Sequence, residues 1–174
     1  MNIFAVDKDP QIAARSLCNK HIIKMPTESA QMLYYCFHPS KSNHYNHPAA
    51  IWARTSLENF EWLLDHAFEL CCQYKLRYKR EHASFQTINW CFLNKYKLIL
   101  PQIGLTSFAR CFGDYKSFLE PVEDTIKAYR IYYRMGKRKF AKWHDLDCIP
   151  DWWLLNNRKN YVDKSFVNGV YLFR

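Results

Sequence analysis

Apolar residues recur at spacings of three and four along most of the chain, whereas alternation of the kind that marks a half-buried strand is almost confined to Ile3-Phe4-Ala5-Val6. The pattern predicts an all-α fold: a compact helical bundle forming one domain over residues 1–174, with a short extended N-terminal segment. Asp9-Pro10 has the chemistry of an N-cap followed by proline at the first helical position, so a first helix should run to about Cys18. Asn19 is placed to cap a second helix reaching about Phe37, and Pro26 inside it removes a backbone donor and should kink the axis. Residues 38–47 read as a polar loop, after which Pro48 can open another helix. Thr55-Ser56-Leu57-Glu58 reads as a capping box ahead of a long helix with Leu57, Phe60, Leu63, Leu64, Ala67, Phe68 and Cys71 on its apolar side. Ser84 is positioned to cap a helix to about Leu100, Pro101 to Leu119 reads as an irregular connection, and helical spacing returns from Pro121 to about Trp143.

The second helix also sorts chemistry. At ~100° per residue His21, Lys24 and Glu28 share one side, while Ile22, Ile23, Ala30, Leu33 and Phe37 fall on the other. An imidazole, an amine and a carboxylate within reach of one another are the equipment for proton transfer and amine nucleophilic catalysis. The same spacing describes an ordinary amphipathic helix whose Lys24–Glu28 surface pair contributes only ~0.2–0.5 kcal/mol. The expected kink at Pro26 falls between Lys24 and Glu28 and would displace the trio.

Composition changes this picture in two ways. A hydrophobic share of 49% over 174 residues suffices for a core without covalent staples. The seven cysteines include no Cys-x-x-Cys, and Cys71-Cys72 adjoin on a helix, so they read as small packing residues of a chain made in a reducing cytoplasm. The start lacks the features of a secretory signal, and no window approaches the ~18–20 apolar residues of a membrane span, so no membrane partner is expected. The formal charge of +9 instead points to a polyanion, with DNA the expected partner. Glu58, Glu61, Asp65 and Glu69 would turn the long helix away from phosphate.

Two further groups bear on anion binding. Lys127, Arg130, Arg134, Lys137 and Arg138 form a cationic stripe beside Val122, Ile126, Tyr129, Tyr133 and Phe140, a line that would either track a phosphate backbone or be simply solvated. In the histidine-rich stretch around Tyr45-Asn46-His47-Pro48, free amides at the helix start together with Arg54 could hold a phosphate; equally, His47 and Asn46 could only bond the loop. No Cys, Asp or Glu set follows His44 and His47 at ligand spacing, so no metal is expected. A glycine-rich phosphate loop, a nucleotide fingerprint and a serine nucleophile elbow are all missing from the sequence, so no cofactor is expected and kinase, dehydrogenase and classical hydrolase readings are weak.

Taken together, Met1-Asn2-Ile3-Phe4, Asp7, Asp9-Pro10, Ala13-Ala14, Asn19-Lys20-His21, Lys24-Met25, Glu28-Ser29-Ala30-Gln31-Met32-Leu33 and Tyr45-Asn46-His47-Pro48 resemble small phage-type proteins related to pyrimidine-dimer DNA glycosylases of the endonuclease V class. Ala128-Tyr129-Arg130-Ile131-Tyr132-Tyr133 with Trp143 looks like that group's aromatic C-terminal helix. The resemblance implies a compact helical enzyme that kinks damaged DNA, attacks the sugar C1′ with an amine and passes through an imine to β-elimination. In that class the amine is the N-terminal one after methionine loss, assisted by a glutamate on an early helix. Here Asn2 is too large for the usual methionine removal, so the amine is that of Met1, or Lys24 or Lys20 supplies it, or the glycosylase chemistry is absent. Glu28 is then the assisting carboxylate and His21 a proton shuttle or phosphate holder. Lys20, Asn46, His47, Arg54, Arg130, Arg134 and Lys137 are the expected DNA-binding set.

Two other classes compete with a DNA glycosylase and abasic-site lyase. One is a non-catalytic basic nucleic-acid-binding phage protein carried by the tyrosine-rich helix. The other is an enzyme acting on a modified nucleotide or base gripped by the histidine-rich loop.

Overall fold

The start of the chain, residues 1–6, is an irregular segment through which the fold is organised. The computed structural model describes residues 1–154; residues 155–174, the end of the single domain expected from the sequence, lie outside the described residues. Ile3, Phe4, Ala5 and Val6 are all buried, so both sides of the segment face protein and it runs through the core instead of lying on it. Phe4 adopts a φ of 44°, a left-handed conformation that costs a bulky residue about 1–3 kcal/mol and persists only where the surroundings hold it. Here the Phe4 ring stacks on His21 at 4.4 Å and on Tyr132 at 6.1 Å, and its N–H donates to Asn2 Oδ1 at 2.8 Å.

Among the described residues the regular elements are helices. Asp9 caps α1 (Pro10–Arg15) through bonds from the amides of Gln11 and Ile12. Cys18, not Asn19, precedes α2 (Asn19–Tyr34), because Asn19 Oδ1 is engaged by Arg77 at 3.0 Å and its N–H reaches back to Lys142 O at 2.8 Å. α2 continues through the buried Pro26 to Tyr34, three residues short of Phe37. His47 caps α3 (Pro48–Ala53), and Ser56 caps α4 (Leu57–Tyr78) by accepting from Asn59 N at 3.1 Å. α4 is the central element, packed against α1, α2, α3 and α5 (Phe85–Asn94) through Phe60, Leu63, Leu64, Ala67 and Leu70. Full burial of side chains of this size contributes about 1.5–3 kcal/mol each, which is why this stripe and not local propensity fixes the bundle.

α5 gives way to a 3-10 turn at Lys95–Lys97 instead of reaching Leu100 as one helix. The following stretch has no regular structure as far as Phe112, and its backbone groups find partners elsewhere: Pro101 O accepts from Leu57 N, Gly104 O from Ser56 Oγ, and the Thr106 amide donates to Asn59 Oδ1. After α6 (Lys116–Leu119), Asp124 caps α7 (Thr125–Lys137), which buries Ala128, Tyr129, Tyr132 and Tyr133. α7 stops short of Trp143 because residues 140–143 turn back to cap α2 and to place the Trp143 indole N–H on Ser16 O at 3.1 Å. α8 (Asp151–Leu154) closes the described chain. No helix among the described residues is long and apolar enough to cross a membrane.

Candidate active site at the N-terminus

The buried N-terminal segment delivers the start of the chain to the polar face of α2. Asn2 is the clamp: its Nδ2 donates to Cys111 O at 2.6 Å, and its backbone N–H donates to Glu28 Oε2 at 2.8 Å. The other Glu28 oxygen meets Lys24 Nζ at 3.0 Å. These contacts leave the Glu28 side chain 13% exposed and that of Lys24 70% exposed, so the carboxylate lies in the wall and the lysine at the rim. The α-amine of Met1 is one residue from the Asn2–Glu28 bond.

His47 approaches the same point from the loop before α3. Its Nδ1 accepts the Ala49 N–H at 3.2 Å, so the neutral ring carries its proton on Nε2. Burial lowers the His47 pKa, the N-terminal ammonium lowers it further, and Glu28 opposes both. The Cys111 thiol is raised by burial and lowered by the same ammonium. Asn2 thus ties the start of the chain to the Glu28 carboxylate and to the Cys111 carbonyl, and the N-terminal ammonium and Glu28 both act on the charge of His47.

The expected trio of α2 therefore divides. Lys24 and Glu28 meet in spite of Pro26, but His21 is buried, with Nδ1 2.6 Å from Tyr133 Oη. That hydroxyl also accepts the Cys18 N–H at 3.0 Å, which fixes the Tyr133 ring against the start of α2. Burial, with Lys137 and Lys24 nearby, brings the His21 pKa down to about 3. A neutral ring stacked on Phe4 supports the N-terminal segment; it is not placed as an exposed proton carrier.

The expected DNA-binding set divides as well. Arg54 donates to Tyr45 O at 2.7 Å and Ala50 O at 3.1 Å and lies over the Tyr45 ring, which braces the histidine-rich loop. Arg130 donates to Val6 O at 2.7 Å and pairs with Asp7 at 2.9 Å, pinning the buried segment from its far end. Arg134 donates to Trp152 O at 3.1 Å. Lys137 bonds Tyr132 Oη at 3.1 Å, whereas Lys20 is exposed above Phe140 and Asn46 is exposed on its loop. Three arginines expected on phosphate are thus occupied by protein carbonyls.

Asn2 and Cys111 were not singled out by sequence reasoning. Nothing in the spacing around Cys111 signals it, since its contribution is a backbone carbonyl; the apolar run after Asn2 was the available hint that the terminus is buried. Among the described residues no three His, Cys, Asp or Glu side chains gather as a metal would require.

No curated protein and no solved structure matches the chain. Residues 1–86, which carry Met1, Asn2, Lys24, Glu28 and His47, do match a family model described as pyrimidine dimer DNA glycosylase, so the chain resembles the pyrimidine-dimer glycosylases across the part that builds the candidate site.

Proposed function

We propose that this chain is a DNA glycosylase with abasic-site lyase activity, in which the N-terminal α-amine is the nucleophile and Glu28 the assisting carboxylate. The observation that carries the reading is the bond from Asn2 N to Glu28 Oε2 at 2.8 Å, which sets the chain terminus against a largely buried carboxylate. Lys24 is the competing amine, but it is open to water.

In the reaction the amine lone pair attacks the sugar C1′, the C1′–N bond to the base breaks, and the base leaves with the bonding pair to be protonated by water. Glu28 accepts the proton that the amine loses. Opening of the C1′–O4′ bond, with Glu28 returning its proton to O4′, leaves an iminium between C1′ and the chain terminus. Loss of a C2′ proton to water then expels the 3′ phosphate by breaking C3′–O, and water hydrolyses the imine to release the amine. Once it has returned its proton the Glu28 carboxylate stabilises the iminium, and His47, whose Nδ1 accepts the Ala49 N–H, offers Nε2–H to a phosphate or sugar oxygen.

The test is incubation with single-stranded and duplex oligonucleotides bearing an abasic site or ultraviolet damage in buffer containing EDTA. Strand nicking by the wild-type chain and its loss in Glu28→Gln supports the reading; abasic DNA left intact by the wild-type chain overturns it.

A further inference from the structure

Two open cavities of about 380 and 310 Å³ lie side by side on the surface between α2 and α5, sharing Tyr34 and Thr87. The larger is floored by Tyr34 and Trp90, and His38 stacks on Trp90 at 5.7 Å and packs against Tyr34 at 4.4 Å. Tyr34 and Trp90 are 42% and 38% exposed, so these large aromatic side chains are only partly covered by their neighbours. Around these rings stand amide and hydroxyl groups, Gln31, Gln86 and Thr87, and the residues lining the two cavities carry no carboxylate.

The smaller cavity continues along α2 to Gln31, which lies three residues from Glu28 and is its neighbour on the helix surface. From Glu28 through Gln31 to Tyr34 the helix rises ~9 Å and turns by about 120°. A flexible, unstacked strand whose sugar occupies the Glu28 site can follow that ridge round the helix to the rings. Base faces are available for such contact only where they are unpaired and unstacked.

We propose that the Tyr34–Trp90 groove is a binding site for unpaired nucleobases flanking the reacting nucleotide, so that the substrate is single-stranded DNA or a duplex opened beside the lesion. The amides of Gln31 and Gln86 give the bases hydrogen-bonding edges, and Lys24 at the entrance meets a phosphate. The proposal rests on the glycosylase reading for what lies at Glu28, but the groove's binding can be measured without catalysis.

The experiment measures affinity for an oligonucleotide containing one tetrahydrofuran residue, an abasic analogue that cannot be cleaved, presented single-stranded, fully paired, and paired with unpaired flanking bases. The wild-type chain should bind the single-stranded and opened forms more tightly than the fully paired one. Tyr34→Ala and Trp90→Leu should each weaken those two forms by roughly 5- to 150-fold, the range for loss of one base–ring stack, while changing the fully paired form by less than about twofold. Trp90→Phe, which keeps a ring, should retain most of the affinity and guards against misreading a folding defect. Equal loss on all three forms, or tighter binding of the fully paired duplex, overturns the proposal. If the groove discriminates as stated but the wild-type chain leaves abasic DNA intact, the groove stands and the glycosylase reading falls.

Discussion

α2 and α7 both show charged residues at helical spacing, yet the structure uses them in opposite ways. On α2, Lys24 stands at the rim and Glu28 in the wall behind it, with the start of the chain laid against the carboxylate. On α7, the half-buried Arg130 and Arg134 reach across to the carbonyls of Val6 and Trp152. The difference lies in what passes beside each helix. α7 borders the irregular N-terminal segment and the short α8, whose carbonyls at Val6 and Trp152 are left for side-chain donors, and a guanidinium with its five donors is well suited to reach them. A periodic row of cations therefore says that a helix face is polar, and its neighbours decide whether the cations face water.

The largest effect expected from this contrast is on α2. Glu28→Gln should reduce nicking of abasic DNA by ~10²–10⁴-fold with oligonucleotide binding preserved, as befits loss of one acid–base group. An equal fall in activity from Arg130→Ala, under conditions where that variant is folded, would erase the distinction between the two helices.

Next in size is stability on α7. Removing charged donors from Val6 O and Asp7 in Arg130→Ala should cost about 1.5–3 kcal/mol in urea unfolding, and Arg130→Lys should restore only part of it. No change in midpoint would mean that Arg130 is not the anchor of the buried segment.

Acid unfolding probes two buried imidazoles, one on α2 and one on the central helix α4. His21, beneath the α2 site, and His66, fully buried on α4 with neither ring nitrogen bonded, both have pKa values brought down to about 3, chiefly by burial. The unfolded chain takes up these protons near pH 6.5, so between 6.5 and about 3 the unfolded state binds more protons. Stability should therefore fall with falling pH across that window, by at most about 1.4 kcal/mol per pH unit for each histidine, and be insensitive to them above it. His66→Phe should make the slope shallower; an unaltered slope would contradict the assignment.

The smallest effect belongs to the exposed ion pair. Lys24→Ala should change stability by no more than ~0.2–0.5 kcal/mol and leave nicking of abasic DNA in place. Abolition of nicking would transfer the nucleophile from the terminus to the lysine.

Much of the bundle is legible in the sequence because its signals are local. Asp9-Pro10, His47-Pro48 and Ser56 mark helix starts that hydrogen bonding enforces, and the stripe from Phe60 to Leu70 marks the central helix. The face of α2 was legible only in part: Lys24 and Glu28 do meet on it, but His21, expected beside them, is buried, and Ile23, expected on the core side, is 48% exposed. What periodicity does not encode is which chain ends and loops meet that face. Asn2 and the Cys111 carbonyl enter the site through contacts between residues 109 apart, and the aromatic groove arises only when α5 sets Trp90 beside Tyr34. Helix ends were misjudged where tertiary bonds intervened, as at Asn19, taken by Arg77, and beyond Lys137, where the chain turns back to α2.

The terminus as nucleophile is tested most directly by reducing the reaction with borohydride on abasic DNA and mapping the modified peptide by mass spectrometry. The account predicts a covalent adduct on the α-amine of the N-terminal peptide, strongly diminished in Glu28→Gln. An adduct confined to a lysine side chain, or none at all while nicking proceeds, would contradict it.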